Sequence, residues 1–425
     1  MKRYLPRISD QLLRKKLSAT GAVLVEGAKW CGKTTTCEQA AKSTLYMANP
    51  ESRQQNLALA DMQPSALLEG PTPRLIDEWQ TAPKLWDAVR FAVDKRDAFN
   101  QFILTGSSVP PADDAIIHTG TGRISRLRMR PMSLYESGDS NGEVSLGSLF
   151  EGTDLPVSQA AKNDIEHLAF LVCRGGWPKA IGQDDEVALQ QARNYIDAVA
   201  ESDISRVDGT SRDPRLARRL LRSYARMESS QATVSKIAAD LRGNDEAPTN
   251  KTVQSYLTAL QRIFVIEDLP AWNPNLRSKT AIRTTDTRHF VDPSIGAAAL
   301  GVGPKGLIAD LETFGLLFES LCIRDLRIYA EALDGEVFHF RDKQDLECDA
   351  VIHLRDGRYG LIEVKLGGDM LVEEGAKSLI RLSEKIDTKK MRNEPSFLMV
   401  LTGTGNLSYQ RKDGVMVVPV TTLRE

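Results

Sequence analysis

The sequence predicts an α/β protein in three parts: a parallel α/β unit, a helical middle, and a second, smaller α/β unit. Three observations predict it. Up to about residue 135, short apolar runs alternate with helical stretches, the pattern of a parallel sheet with helical crossovers. From Asp164 to Leu269 apolar residues recur mostly at helical spacing. Beyond Leu307 an apolar helix leads into two strands, a helix and a further strand.

In order, the first unit carries strands over Ala22–Glu26, Thr44–Ala48, Arg74–Asp77, Phe102–Thr105 and Ile124–Met129. The Gly-, Ser-, Asp- and Glu-rich segment Ser137–Thr153 reads as a loop leaving it. The middle carries helices over Val187–Val199, Pro214–Met227, Val234–Leu241 and Thr252–Phe264. The last part carries the helix Phe314–Leu326, strands Leu346–Leu354 and Tyr359–Leu366, the helix Glu373–Lys385 and the strand Ser396–Leu401. The 425 residues suggest about three domains at roughly 150 residues each, with expected bounds 1–153, 154–300 and 301–425.

Composition narrows the class. With 55 basic against 57 acidic residues, 41% hydrophobic and 26% charged, the chain is ordinary globular material. That excludes a disordered or fibrous protein and one that coats nucleic acid by bulk charge, but leaves a local basic face open. Met1-Lys2-Arg3 leads into Leu5 and Pro6 without the apolar core of a secretory signal. No stretch approaches the roughly 18 apolar residues of a membrane span. Cys31, Cys37, Cys173, Cys322 and Cys348 show neither zinc spacing nor a disulfide framework. A cytoplasmic protein without membrane attachment is expected.

The sharpest motif is Gly27-Ala28-Lys29-Trp30-Cys31-Gly32-Lys33-Thr34, followed by Thr35. It fits G-x-x-x-x-G-K-S/T between an apolar strand and a helix, the context a phosphate-binding P-loop requires. Glycines let successive N–H groups turn inward on phosphates, and the helix N-terminus adds positive potential. Lys33 is placed for the β- and γ-phosphates and the Thr34 hydroxyl for Mg²⁺. The run Leu75-Ile76-Asp77-Glu78 then reads as the acidic strand end of the same site. Asp77 would hold Mg²⁺ through water, and Glu78 would orient or deprotonate the attacking water.

The strand Phe102–Thr105 ends in Gly106-Ser107-Ser108, where a hydroxyl can sense the γ-phosphate. Ser107 is the first candidate, with Thr105 and Ser108 behind it; a turn satisfying its own backbone is the plain alternative. Arg123, ahead of the last strand, is a candidate finger into a neighbouring subunit's nucleotide, with Arg126, Arg128 and Arg130 as competitors. No Asn-Lys-x-Asp element for reading guanine is visible, which favours ATP over GTP.

The matching runs extend along the chain: Tyr4-Leu-Pro-Arg7, the P-loop, Leu75-Ile-Asp-Glu-Trp-Gln80, Phe102-Ile-Leu-Thr-Gly-Ser-Ser108, Gly122-Arg-Ile124, Pro131-Met-Ser-Leu-Tyr-Glu136, Gly175-Gly-Trp-Pro178, Leu317-Phe-Glu319 and Ile362-Glu-Val-Lys365. Together they resemble the bacterial and archaeal AAA-type ATPases that carry a C-terminal DUF4143 region. The resemblance spans nearly the whole chain and implies architecture better than substrate. One departure is Lys29-Trp30-Cys31, where many relatives read Arg-Gln-Val.

In the middle, Val234–Leu241, a Gly243-Asn244 turn and Asn250–Phe264 read as a helix-turn-helix. Asn250, Lys251, Gln254 and Ser255 would lie on the exposed start of its second helix, where base edges are contacted. The resemblance implies a winged helix here. The preceding helix region carries Arg212, Arg215, Arg218, Arg219, Arg222 and Arg226, a basic face that could track phosphates. Packing against protein, or pairing with acids, is the competing reading.

Near the C-terminus Asp349 and Glu363-Val364-Lys365 fit the restriction-endonuclease-like nuclease pattern, a fold the resemblance also implies. Asp349 and Glu363 would bind Mg²⁺, Lys365 would position or activate water, and Glu319 would be a further acidic ligand. The register decides whether these meet. A three-residue loop Arg355-Asp356-Gly357, with Gly357 left-handed, sets Leu354 against Arg358 and Asp349 against Glu363, with Lys365 on their face. A two-residue Asp-Gly turn puts Asp349 on the other face. His339 and His353 are read as structural.

The expectation is an Mg²⁺-dependent ATPase whose nucleotide state controls a nuclease-like, DNA-handling C-terminal domain. The alternative is a non-cutting ATP-dependent switch or assembly protein that binds nucleic acid, a protein partner or further copies of itself.

Overall fold

The computed structural model describes residues 4–108, 119–160, 164–242, 248–273, 285–344, 346–386, 391 and 393–425. The chain forms two compact units. The first comprises Met1–Pro131 together with Ser202–Arg212 and Thr258–Val265. The second comprises Met132–Glu201, Asp213–Leu257 and Ile266–Glu425. Among the described residues no helix is long and apolar enough to cross a membrane. All five cysteines are free and buried.

The first unit is built on five parallel strands: β1 (Ala22–Glu26), β2 (Ser43–Tyr46), β3 (Arg74–Asp77), β4 (Phe102–Gly106) and β5 (Ile124–Arg128). Their order is β2-β3-β4-β1-β5. β1 and β4 are buried along their whole length, as near-continuous apolar runs in a parallel sheet should be. One face packs on the helix Lys84–Arg96 through Leu85, Trp86, Val89 and Val93 against Leu24, Ile76, Phe102 and Leu104. Each such fully buried side chain contributes about 1.5–3 kcal/mol. The order places β4 between β1 and β3, so the ends of those three strands lie side by side.

The second unit opens with the short helix Leu134–Ser137, β6 (Val144–Ser145) and the helix Leu146–Phe150. The expected loop over Ser137–Thr153 is therefore partly structured. Ser145 caps the second of these helices, and β6 finds a parallel partner at the far end of the chain, which local composition does not show. Helices Ile165–Arg174, Asp185–Ala198, Pro214–Ala225, Val234–Asp240, Asn250–Arg262 and Pro293–Leu300 follow. The expected Gly243-Asn244 turn lies outside the described residues. After the helix Asn250–Arg262 the chain forms an antiparallel pair, with Leu269 and Thr287 exchanging backbone hydrogen bonds at 2.8 and 2.9 Å.

The helix expected over Phe314–Leu326 runs longer, Leu311–Ala332. A six-stranded sheet completes the unit: β7 (Gly335–Arg341), β8 (Glu347–Leu354), β9 (Tyr359–Lys365), β10 (Phe397–Thr402), β11 (Tyr409–Gln410) and β12 (Met416–Pro419). Its order is β11-β12-β10-β9-β8-β7, and the last strand, β13 (Leu423–Arg424), pairs with β6. β7, β11 and β12 were not among the expected strands. β7 follows the long helix without a turn of its own beyond Asp334 at φ 56°. The helix Asp369–Lys385 crosses from β9 to the parallel β10 and buries Val372, Ala376, Leu379 and Leu382 on Val351, Leu361 and Val400.

A buried ion network ties this unit together. Arg324, on the long helix and 1% exposed, reaches Asp292 at 2.9 Å and Asp325 at 2.7 Å. Asp292 accepts from the Gly176 amide at 2.9 Å, and Asp325 from the Leu134 amide at 2.9 Å. Trp177 donates to Ser294 at 2.9 Å. The runs Pro131–Glu136 and Gly175–Pro178 thus act as architecture: their backbones dock on the carboxylates held by Arg324. Burial pushes the Asp325 carboxyl up to about 6, against the pull of Arg324. Arg324→Met would leave both carboxylates buried without a counter-charge. It is expected to destabilise the fold by about 3–5 kcal/mol in denaturant unfolding; a loss below about 1 kcal/mol would remove Arg324 from this role.

Glu228 and His289 lie wholly buried nearby. Glu228 accepts from the Phe290 amide at 2.9 Å and the Ser320 hydroxyl at 2.6 Å. Burial pushes Glu228 up to about 8 and His289 down to about 3. The folded value of Glu228 lies above its ordinary 4.5, so its ionisation erodes stability as pH rises between those two values. The His289 contribution has the opposite sense and is lost as pH falls below its ordinary 6.5. Glu228→Gln keeps the acceptor oxygen but removes the ionisation, so relative to the parent its denaturant midpoint should improve more at about pH 8 than at about pH 5.

Candidate functional site

β1 delivers the chain into the loop Gly27–Thr34, and packing dictates its first residue. A Cβ on Gly27 would lie 2.0 Å from the Met129 carbonyl oxygen just past β5, so only glycine fits. Gly32 sits at φ 100° and begins the helix Lys33–Ala40. Ala28 and Cys31 are fully buried, while Trp30 is 41% exposed and takes a left-handed φ of 67°. Arg7 braces the loop from outside, donating to the Cys31 carbonyl and the Arg130 carbonyl, each at 2.9 Å. Lys29 turns away to Asp203 at 2.6 Å. Thr35 is exposed on the helix.

The polar groups converge where β1, β3 and β4 end together. Lys33 Nζ donates to the carbonyls of Gly27 at 2.8 Å and Ala28 at 2.7 Å. Asp77 Oδ1 accepts from both Thr34 Oγ1 and Thr105 Oγ1 at 2.6 Å. Thr105 also receives the Glu78 amide at 3.2 Å. Glu78 is left-handed, φ 57°, and its carboxylate accepts from Gln80 and, at 3.3 Å, from Ser107. Left-handed conformations at non-glycine residues cost about 1–3 kcal/mol and cluster at functional sites; Trp30 and Glu78 both lie here. The Thr34 hydroxyl and Asp77 carboxylate are hard oxygen donors side by side, a donor set suited to Mg²⁺.

The structure therefore brings together Lys33, Thr34, Asp77, Glu78 and Ser107, and adds Thr105 as the central bridge. Arg7 and Gln80 were given no role from sequence; both lie in runs that match relatives, which was the only signal for them. Arg123 lies elsewhere. Its carbonyl bonds the Ala22 amide at the start of β1, the edge of the sheet opposite the loop, and its side chain binds Asp94 at 2.7 Å. Arg126 and Arg128 both reach Glu26, at 3.0 and 3.5 Å.

In the second unit the bulged hairpin forms. Gly357 is left-handed at φ 92°, and Leu354 accepts its amide and donates to Arg358. The β8–β9 register, Ala350 against Ile362, sets Asp349 opposite Glu363. Asp349 accepts the Val364 amide at 2.7 Å. Lys365 lies 2.8 Å from Glu363 and 3.9 Å from Asp349. These line a cavity of about 430 Å³ with Glu347, Glu374, Lys377, Ser378 and Arg381.

Burial, reinforced by Asp349, pushes Glu363 up to about 8, and burial with the same carboxylates raises Glu319 well above its ordinary range. Burial works against the Lys365 charge, but Asp349 and Glu363 outweigh it and hold the ammonium above its usual value. The cluster is organised around Lys365. Among the described residues no group of three or more His, Cys, Asp or Glu is gathered to hold a metal. Glu319, Asp349 and Glu363 thus do not form a ready ligand set.

The expected basic face is largely neutralised. Arg212 is buried against Asp208, Arg218 binds Asp197 and Glu201, Arg226 binds Asp240, and Arg219 donates to the Leu241 carbonyl. Arg215 and Arg222 are exposed. Asn250 donates to Ser235 at 3.0 Å; Lys251, Gln254 and Ser255 lie on the same helix, Asn250–Arg262. His339 lies on β7 and His353 on β8, where the His353 ring packs on Trp272 and Tyr359.

A five-stranded parallel sheet, a phosphate loop after β1 and an acidic end on β3 define a P-loop nucleotide-binding protein. Comparison with known families agrees: residues 19–138 match the AAA domain model, residues 314–423 the domain of unknown function DUF4143, and residues 165–306 the domain of unknown function DUF8612. Residues 19–138 are thus similar to AAA-type P-loop ATPase domains, and residues 314–423 to the DUF4143 region. It is 24% identical over 359 residues to uncharacterized proteins Rv2008c of Mycobacterium tuberculosis and Mb2031c of Mycobacterium bovis, covering 83% of this chain and 72% of theirs. The Walker-type ATPase of Pyrococcus abyssi aligns over 70% of this chain and 96% of its own, at 13% identity and a TM-score of 0.44.

Gly27→Ala should weaken binding of a fluorescent ATP analogue by at least about tenfold, or about 1.4 kcal/mol, with melting showing an intact fold. Parent affinity in that variant would mean that the loop can yield at Met129.

Proposed function

We propose that the protein is an Mg²⁺-dependent ATPase whose nucleotide state governs its C-terminal, nuclease-like domain. The observation that carries this reading is the single Asp77 oxygen shared by Thr34 and Thr105, which fixes a hydroxyl and a carboxylate at the mouth of the phosphate loop. Gly27–Thr34 would turn its amides on the β- and γ-phosphates, with Lys33 leaving the loop carbonyls to pair with them. Thr34 and Asp77 would hold Mg²⁺, which supplies charge neutralisation on the phosphates. Glu78 would orient or deprotonate the water attacking the γ-phosphorus in line, and Ser107 and Gln80 hold its carboxylate in place. Arg123 would serve as a finger only towards a second copy, after exchanging Asp94 for phosphate.

For the output, three helices followed by an antiparallel pair support a winged-helix reading of the middle, and Asp349, Glu363 and Lys365 on one hairpin face support a nuclease-like fold with DNA as candidate partner. A second reading, a non-cutting switch acting on nucleic acid, a protein partner or further copies of itself, is favoured by one observation. Lys365 sits between the two carboxylates, where a bound cation would have to displace it.

ATP hydrolysis should fall at least about a hundredfold in Lys33→Ala and in Glu78→Gln, with Glu78→Gln still binding nucleotide. Hydrolysis at the parent rate in Lys33→Ala would sink the ATPase reading. Cleavage of linear, circular and single-stranded nucleic acids with Mg²⁺ or Mn²⁺, lost in Lys365→Ala and altered in Lys33→Ala, would support an ATP-governed nuclease. No cleavage with ATP hydrolysis intact would favour the switch.

A further inference from the structure

Lys29 lies inside the phosphate loop, yet its side chain leaves the loop and its ammonium lies 2.6 Å from Asp203. The Asp203 side chain is only 8% exposed, so its charge is partly desolvated and depends on that cation. Asp203 ends a five-residue π-helical turn, Val199–Asp203. Such turns insert an extra residue and are frequent at functional sites.

Asp203 also begins a braced piece of chain. Arg212 grips Asp208 with two bonds of 2.8 Å and the Ile204 carbonyl with one of 2.7 Å. Its amide donates to the Ser205 hydroxyl at 3.0 Å, and Ile204 and Val207 are buried. Ser202–Arg212 packs as part of the ATPase unit, while the chain on either side of it belongs to the second unit. The segment is therefore an internally braced insert that the Lys29–Asp203 ion pair ties to the loop.

We propose that Asp203 is a positioning residue of the nucleotide site, and that nucleotide occupancy is read out through Lys29 by the segment Ser202–Arg212. This rests on the ATPase reading. A triphosphate on the loop brings several negative charges close to Lys29, and they compete with the single charge of Asp203 for its ammonium. ATP loosens the pair and with it the segment. Coupling is reciprocal: if ATP loosens the pair, the pair opposes ATP, and removing Asp203 makes ATP bind more tightly. A residue that merely supported the loop would weaken binding when removed.

The test is hydrogen exchange of the full chain with and without Mg-ATP in a Glu78→Gln background, with the affinity of a fluorescent ATP analogue measured on the same samples. Amide exchange within Ser202–Arg212 should rise about tenfold on ATP binding. Asp203→Asn should exchange fast in both states and bind the analogue about tenfold more tightly, while Asp203→Glu restores the response. Lys29→Gln reports the same exchange from the other side of the pair, should Asp203→Asn fail to fold. Bound ATP with unchanged exchange in the segment, or weaker binding in a folded Asp203→Asn, would overturn the proposal and leave the ATPase reading standing. No ATP binding by the Glu78→Gln protein itself would overturn both.

Discussion

The nucleotide-binding half depends on a single carboxylate oxygen. Asp77 accepts two hydroxyls, one from the helix that follows β1 and one from the end of β4. That is geometrically available only because β4 lies between β1 and β3 in the sheet. The strand order thus sets the distance between loop and acid, and hydrogen bonding sets the orientation. Around this point Gly27 closes on Met129, Arg7 braces two carbonyls, and Glu78 takes a left-handed backbone that aims its carboxylate back over the strand ends.

The second unit is held by a different device. Arg324 is buried between two aspartates, and those aspartates accept backbone amides from the Gly175–Pro178 and Pro131–Glu136 regions. A buried ion network of this type adds little net stability over an apolar core, but it penalises every arrangement in which one partner is missing. It accordingly specifies how segments more than a hundred residues apart come together. Runs that look like functional motifs in the chain turn out to be joints.

The C-terminal cluster shows how the same residues can support different chemistries. Alternation and one bulged turn bring Asp349, Glu363 and Lys365 to one face, as the Gly357 reading requires. What the chain order cannot say is how the charges settle among themselves. Lys365 lies on Glu363 and near Asp349, and burial raises Glu363 and Glu319, so the cluster as folded is internally compensated. The arginine-rich stretch from Arg212 to Arg226 repeats the lesson: four of its six expected face arginines have found carboxylates or a carbonyl. Local spacing predicts which residues share a face, but not which partners another element supplies.

The sequence alone determined whatever depends on neighbours in the chain. Apolar runs placed all five strands of the first sheet to within two residues at either end. The glycine and lysine spacing located the phosphate loop, and the three residues after Leu354 limited the hairpin to two registers, of which the fold takes the bulged one. Tertiary structure decided the rest, because those features depend on residues brought together from afar. It chose Thr105 as the bridge to Asp77, gave β6 a partner in β13, and left Arg123 on Asp94 at the edge opposite the loop. It also packed Ser202–Arg212 with the first unit and turned Lys29 onto Asp203, a contact spanning 174 positions that no local periodicity encodes.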